Sequence, residues 1–398
     1  MSTETTRCRL RDLGVAPGVL PTGCWNAITD VAGVRVGHAT VIEGEDVRTG
    51  VTAVLAHDGN SFRERVPAGV VVGNGFGKLI GFTQVRELGE LETPILLTNT
   101  LAAPRVADAL IDWILALPGN EDVTSVNPFV GETNDGRLND IRARGVRAEH
   151  VHEALAAAQT AAPHEPVAGG NVGAGTGTVA FGYKGGIGTA SRVLPAERGG
   201  WTVGALVQAN FGGVLSVDGL QVGKALGGDA AFGIRGADTA APDTTEPDPV
   251  ERGAADGSIM IVLATDAPLS DRNLERLATR GLAGLARTGA AMSDGSGDYA
   301  VAFSTAPEVR RRVWASRVAG ALASPGDSAS SCAPRPRPIL DLPNEAMSPL
   351  FLAAIEATEE AILDALCLAE TMRGSRGRVV EAIPLDVVRE LVRARNAR

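Results

Sequence analysis

The longest uninterrupted apolar run that reads as a strand is Ile259-Met260-Ile261-Val262-Leu263-Ala264, rich in β-branched residues and opened by Gly257-Ser258. A run of this kind predicts a strand buried on both faces. Ahead of it, residues 236–257 are polar, proline-rich and short of large apolar side chains, the pattern of a linker. Further strands are predicted at residues 30–38, 51–56, 68–72, 94–100, 203–209 and 299–304, several of them ending in Gly or Asn turns. Helical spacing predicts helices over 103–117, 148–161 and 271–289, the last with Leu274, Leu277, Leu282 and Leu285 on one face. A long helix is expected from Ser348 as N-cap and Pro349 at its first position to Met372, with Gly374 beyond. Strands outnumber long helices and the helices are scattered, so two sheets covered by helices is the expected architecture. Residues 31–37 and 217–223 echo each other weakly, a hint of a duplicated hairpin.

Composition narrows this picture. The chain has 398 residues, 44% of them hydrophobic, enough for a substantial core, and 49 glycines point to tight turns and close backbone approaches. A net charge of −10 argues against a nucleic-acid surface and suits neutral or cationic substrates. The first residues lack an apolar signal-peptide core, and no window reaches the length of a membrane span, so a soluble cytoplasmic protein is expected. Cys8, Cys24, Cys332 and Cys367 show no paired spacing and read as free thiols.

Most familiar chemistries leave no trace. There is no Gly-x-Ser-x-Gly elbow, no P-loop, and no His/Cys pair with metal-ligand spacing; His150 and His152 would face apart on a helix. The glycine-rich stretch 169–177 has Thr178 where a dinucleotide fingerprint needs Gly, so close packing is the expected use of these glycines. Ser258 remains. Taken alone, Gly257-Ser258 reads first as the plain end of a linker. The alternative is a self-cleavage site: an α-amino group with pKa of roughly 7.7–8.0, on the same residue as the hydroxyl, would be its general base without any histidine. Glycine before the serine would leave the hydroxyl room to reach the preceding carbonyl.

From Asn26 to about Pro384 the chain resembles the DmpA-type aminopeptidases, which include L-aminopeptidase/D-esterases and β-peptidyl aminopeptidases. The resemblance rests on ordered blocks at 26–40, 74–78, 94–100, 131–141, 170–177, 184–192, 208–213, 256–269 and 295–305. It implies an α+β fold, the four-layer αββα sandwich shared with ornithine acetyltransferases. It implies one hydrolase domain over 1–398 that cuts itself between Gly257 and Ser258 into chains 1–257 and 258–398. These are expected to assemble as a homo-oligomer, a tetramer of cleaved pairs. Ser258 matches the nucleophile, Asn210 the oxyanion donor, and Ser296 with Asp298 the groups that hold the nucleophile's amine. Glu132 matches the carboxylate that pairs with a substrate's free amine. The implied substrate is a short peptide, amide or ester with that amine, and no cofactor or metal is implied. A tyrosine role known in the family is left unassigned between Tyr183 and Tyr299, and Lys184 has no assigned role. Read without the resemblance, Asn210 is a strand-end turn former, Asp298 a cap and Glu132 a solvated loop residue. The rival readings are an acyltransferase of the ornithine acetyltransferase type, against which a serine rather than threonine speaks, and an uncleaved protein that binds amines or assembles with partners.

Overall fold

In a computed structural model of the chain, residues 6–227, 257–312 and 338–397 are described; linker positions 236–256 and Cys332 lie outside them. Two sheets stack face to face. The first runs in the order β1 (Arg35–Glu43), β2 (Val47–Leu55), β5 (Ile95–Asn99), β6 (Phe129–Thr133). The second contains β3 (Glu64–Gly75), β12 (Gly297–Ser304), β11 (Ser258–Thr265), β10 (Thr202–Asn210) and β9 (Gly186–Val193), in that spatial order. Short strands β4 (Glu90–Leu91) and β13 (Arg311–Arg312) flank β3, and β7 (Val179–Ala180) pairs with β8 (Tyr183–Lys184) in a separate hairpin.

Strand periodicity sorts the side chains into three apolar layers. Met260, Val262 and Ala264 of β11 face the first sheet, meeting Val54, Ile95, Leu97 and Phe129. Ile259, Ile261 and Leu263 face the other way, into helices Asp271–Arg287, Met347–Leu368 and Leu385–Asn396. On the far side of the first sheet, Ala53, Leu96 and Val130 pack against Val106 and Leu110 of helix Ala103–Leu115 and Val151 and Leu155 of helix Ala148–Thr160. The result is helix, sheet, sheet, helix: the αββα sandwich expected. All six apolar residues of β11 are fully buried. Each large side chain so buried contributes about 1.5–3 kcal/mol, which fixes the strand and hence the residue at its mouth. Among the described residues no helix is long and apolar enough to cross a membrane, and Cys8, Cys24 and Cys367 are free thiols.

Several element boundaries differ from expectation. Residues 30–38 are not one strand: Ile28–Asp30 is a 3-10 turn, Gly33 turns the chain at φ +91°, and the strand begins at Arg35. The Asp30 carboxylate holds that turn by accepting the Trp25 and Ala27 N–H groups. Ser348 is not an N-cap. A 3-10 turn at Asn344–Ala346 feeds straight into the helix, so helical geometry begins at the fully buried Met347. The same helix stops at Leu368, where Asn171 grips the main chain on both sides of Glu370, and Met372–Arg373 becomes a short strand. The echo at 217–223 is no second hairpin of the sheets; it forms an isolated bridge and a single helical turn at Val222–Ala225. The glycine-rich stretch is packing: a Cβ at Gly175 would lie 2.4 Å from the Ile187 nitrogen, and one at Gly177 2.1 Å from the Arg48 carbonyl oxygen.

Candidate active site

Four strands bring their ends to one edge of the second sheet. β10 and β11 are antiparallel, with Asn210, the last residue of β10, directly opposite Ser258, the first of β11. β11 and β12 are parallel, so β12 begins at the same edge and sets Asp298 opposite Ile259. β3 ends there too, with Asn74 opposite Asp298 and an irregularity in register between Asp298 and Tyr299. Residues 210, 258 and 298 are far apart in sequence, yet the ladder makes them neighbours.

Ser258 is nearly buried, and its Oγ accepts the Gly297 N–H at 3.1 Å. Gly297 lies between Ser296 and Asp298, whose side chains are joined by a short Ser296 Oγ to Asp298 Oδ2 hydrogen bond. Neither side chain bonds Ser258 directly. Burial pushes the Asp298 carboxyl up to about 6, although the Ser296 hydroxyl pulls the other way. Asn74 Nδ2 donates to the Ser293, Asp294 and Ser296 carbonyls, pinning the loop that carries this pair. Gly257, with its peptide to Ser258 intact, is packed so closely that a Cβ would lie 2.2 Å from the Asn210 carbonyl oxygen and 2.7 Å from the Phe211 Cα.

The Asn210 amide is gripped at both ends. Its Oδ1 accepts the Val179 N–H at 2.9 Å, which settles its orientation, and its Nδ2 donates to the Asn134 carbonyl at 3.1 Å. The amide has a second N–H, free to meet negative charge developing beside Ser258.

Glu132 lies on β6 of the other sheet and is only 2% exposed, so it is no solvated loop residue. Its Oε1 accepts the Lys78 N–H at 2.8 Å, and its Oε2 accepts the Thr100 hydroxyl in a short hydrogen bond. Burial raises its pKa despite these donors. A cation that paired with it would therefore restore interactions lost with water. Tyr299 stands beside it: a Cβ on Gly77 would be 3.1 Å from the tyrosine oxygen and 3.2 Å from Glu132 Oε1. Burial, then the charges of Glu132 and Asp298, raise the Tyr299 pKa. Tyr299, not Tyr183, is thus the tyrosine that adjoins both carboxylates. Lys184 is sealed from solvent, with Nζ donating to the Gly175 and Gly185 carbonyls; burial lowers its pKa to about 7.

A cleft of about 570 Å³ opens over these groups and is lined by Gly257, Ser258, Asn210, Glu132 and Thr100 among others; among the described residues no histidine lines it. Ser296 and Asp298 lie behind this wall. The cleft therefore holds a hydroxyl nucleophile, an amide donor and a recessed carboxylate together, the parts that acyl transfer from an amine-bearing substrate needs. Thr100, the Lys78 and Gly297 N–H groups and the Asn74 hook escaped the sequence reading. Backbone donors carry no side-chain signature; Asn74 opens the motif block 74–78, but nothing local showed that its side chain reaches the 293–296 loop.

Comparison with known proteins agrees with this geometry. Residues 26–380 match the model of peptidase family S58. The chain is 42% identical over 397 residues to a β-peptidyl aminopeptidase, BapA, of Sphingosinicella microcystinivorans, covering 97% of this chain and 92% of that protein. Similar solved structures include a β-aminopeptidase of a Burkholderia species, with TM-score 0.79, 40% identity and coverage of 97% and 99% of the two chains. The L-aminopeptidase D-Ala-esterase/amidase of Ochrobactrum anthropi, described as a variant of the Ntn-hydrolase fold, has TM-score 0.80, 35% identity and coverage of 98% and 99%. The chain belongs to peptidase family S58 and is a serine aminopeptidase with the Ntn-hydrolase fold of its neighbours.

Proposed function

We propose that the chain cuts its own Gly257–Ser258 bond and that the freed Ser258 is the nucleophile of the resulting aminopeptidase. In the first step Ser258 Oγ attacks the Gly257 carbonyl carbon, the C–N bond breaks, and the serine nitrogen leaves as an amine while an ester forms. Water then hydrolyses the ester, giving chains 1–257 and 258–398. In turnover the new α-amine takes the Ser258 hydroxyl proton as Oγ attacks the substrate carbonyl. Asn210 Nδ2 donates to the oxyanion, and the proton passes to the leaving amine as the scissile bond breaks. Water releases the acyl group in a second round. Ser296 and Asp298 orient the amine, and Glu132 pairs with the substrate ammonium, which selects N-terminal over internal bonds.

The observation that carries this reading is the register of β10 against β11, which sets Asn210 opposite Ser258 in a cleft that also holds Glu132. Since relatives are named for β-peptides and for L-aminoacyl and D-alanyl substrates, the substrate class is a short peptide, amide or ester with a free amine. Assembly as a homo-oligomer of cleaved pairs is part of the proposal. The test is a panel of α-, β- and D-aminoacyl p-nitroanilides with N-acetylated counterparts. The free-amine compounds should be hydrolysed and the acetylated ones should not, and Ser258→Ala should be inert on all. Equal rates with and without the free amine would remove Glu132 from its role.

A further inference from the structure

The cleft carries a cation that takes no part in the proposed mechanism. Arg137 lines the same cleft as Ser258, Asn210 and Glu132, is half-buried, and among the described residues its guanidinium makes no hydrogen bond or ion pair. Its backbone, by contrast, is firmly held. The Asn134 side chain accepts the Gly136 N–H at 2.9 Å, the Asp135 carbonyl accepts the Leu138 and Asn139 N–H groups, and Arg378 donates to the Arg137 carbonyl at 3.3 Å. The next residue, Leu138, is fully buried and its carbonyl accepts the Ser375 N–H at 2.7 Å. A guanidinium with five donors and no acceptor, presented on a fixed turn into a substrate cleft, is built to meet an anion.

The order of residues along this wall says which anion. Glu132 stands near Tyr299 of β12, and Asn134, two residues on, holds the Asn210 amide of β10 through its carbonyl, so the segment passes the mouth of β11 from the Glu132 side before it reaches Arg137. With the scissile carbonyl at Asn210 and the ammonium at Glu132, the chain leaving the carbonyl on its other side runs toward the Arg137 end of the segment. Lys78, the other cation lining the cleft among the described residues, gives its backbone N–H to Glu132 and its positive charge pulls the Glu132 pKa down against the larger effect of burial, so it stands at the amine end.

We infer that Arg137 binds the terminal carboxylate of the leaving fragment, so that the enzyme favours short peptides with a free C-terminal carboxylate, dipeptides first. The inference rests on the aminopeptidase mechanism above and adds the feature that limits peptide length. A charge-assisted, two-point guanidinium–carboxylate contact discriminates by roughly 10- to 100-fold.

The experiment compares three substrates sharing one N-terminal residue: the free dipeptide, its C-terminal amide, and the aminoacyl p-nitroanilide. The wild-type enzyme should prefer the free dipeptide over its amide in kcat/KM. Arg137→Ala should lose that preference, falling roughly 10- to 100-fold on the free dipeptide while staying within about twofold on the other two, and Arg137→Lys should recover part of the loss. An equal fall on all three substrates would mark Arg137 as merely structural and overturn the inference, as would no fall at all. A wild-type enzyme active on the anilide but indifferent to the carboxylate overturns this inference alone. Inertness toward all three removes the aminopeptidase mechanism and the inference with it.

Discussion

The chemistry at the level of single residues turns on groups whose protonation is set by burial. Asp298 reaches a pKa of about 6 because burial outweighs the Ser296 hydrogen bond. If its ionised form holds the amine in place, activity is lost as pH falls through its pKa, and a second loss follows from protonating the amine, whose ordinary pKa is roughly 7.7–8.0. In the cut enzyme the neighbouring ammonium lowers the Asp298 pKa below its value of about 6 in the intact chain, so log kcat/KM should rise with a slope of one through neutral pH and steepen to two only below that lowered pKa. Asp298→Asn should be slower and keep only the single slope; an unchanged profile would show that Asp298 does not titrate in catalysis. Asn210→Ala should slow turnover about 10²- to 10³-fold with little change in KM, the worth of one oxyanion donor. A loss confined to KM would place Asn210 in ground-state binding instead. Ser258, Asn210, Ser296 and Asp298 were all legible in the chain through ordered motif blocks. Their contacts were not, because the Gly297 N–H on Ser258 and the Val179 N–H on Asn210 are backbone donors from segments remote in sequence.

Among elements, the β11 run and its double-sided burial could be read directly, since six consecutive apolar residues have no polar face to show water. Pairing could not be read: Asn210 meets Ser258 only through a register fixed by the whole β10–β11 ladder. Boundaries failed where local signals met tertiary competition, as at Ser348, where burial of Met347 extended the helix past a good capping residue. The same packing makes Gly257 a testable position. A Cβ there would meet the Asn210 carbonyl oxygen and the Phe211 Cα, both backbone atoms that cannot swing aside. Gly257→Ala should therefore slow self-cleavage strongly while the sheet stays folded, seen as persistence of the uncut band with an unchanged circular dichroism spectrum. Cleavage at the wild-type rate would show that this close approach is not needed for attack.

For the whole molecule, the proposed cut at Gly257–Ser258 raises the question of what would hold the two pieces together. The fully buried Arg192, on β9 of the longer piece, donates to Glu356 and Glu360 on helix Met347–Leu368 of the shorter one. Arg9 reaches Asp364 and Arg11 reaches Glu360 on that helix as well. Breaking one partner of such a buried network costs about 3–5 kcal/mol, and β11 and β12 lie inside the same sheet as β10 and β3. The cleaved pieces should therefore co-elute in native size-exclusion chromatography and separate only in denaturant. Two sheets covered by helices were legible from scattered helices and abundant strands, and the four-layer sandwich from the family resemblance; which strand ends meet depends on long-range pairing that no local pattern encodes.

The most direct measurement is mass spectrometry with N-terminal sequencing of the purified, active enzyme. The account predicts that the 40.9 kDa chain is found as two pieces, the smaller beginning Ser-Ile-Met-Ile at Ser258, while Ser258→Ala remains a single inactive chain. An intact, uncut chain that hydrolyses free-amine substrates at full rate would contradict it.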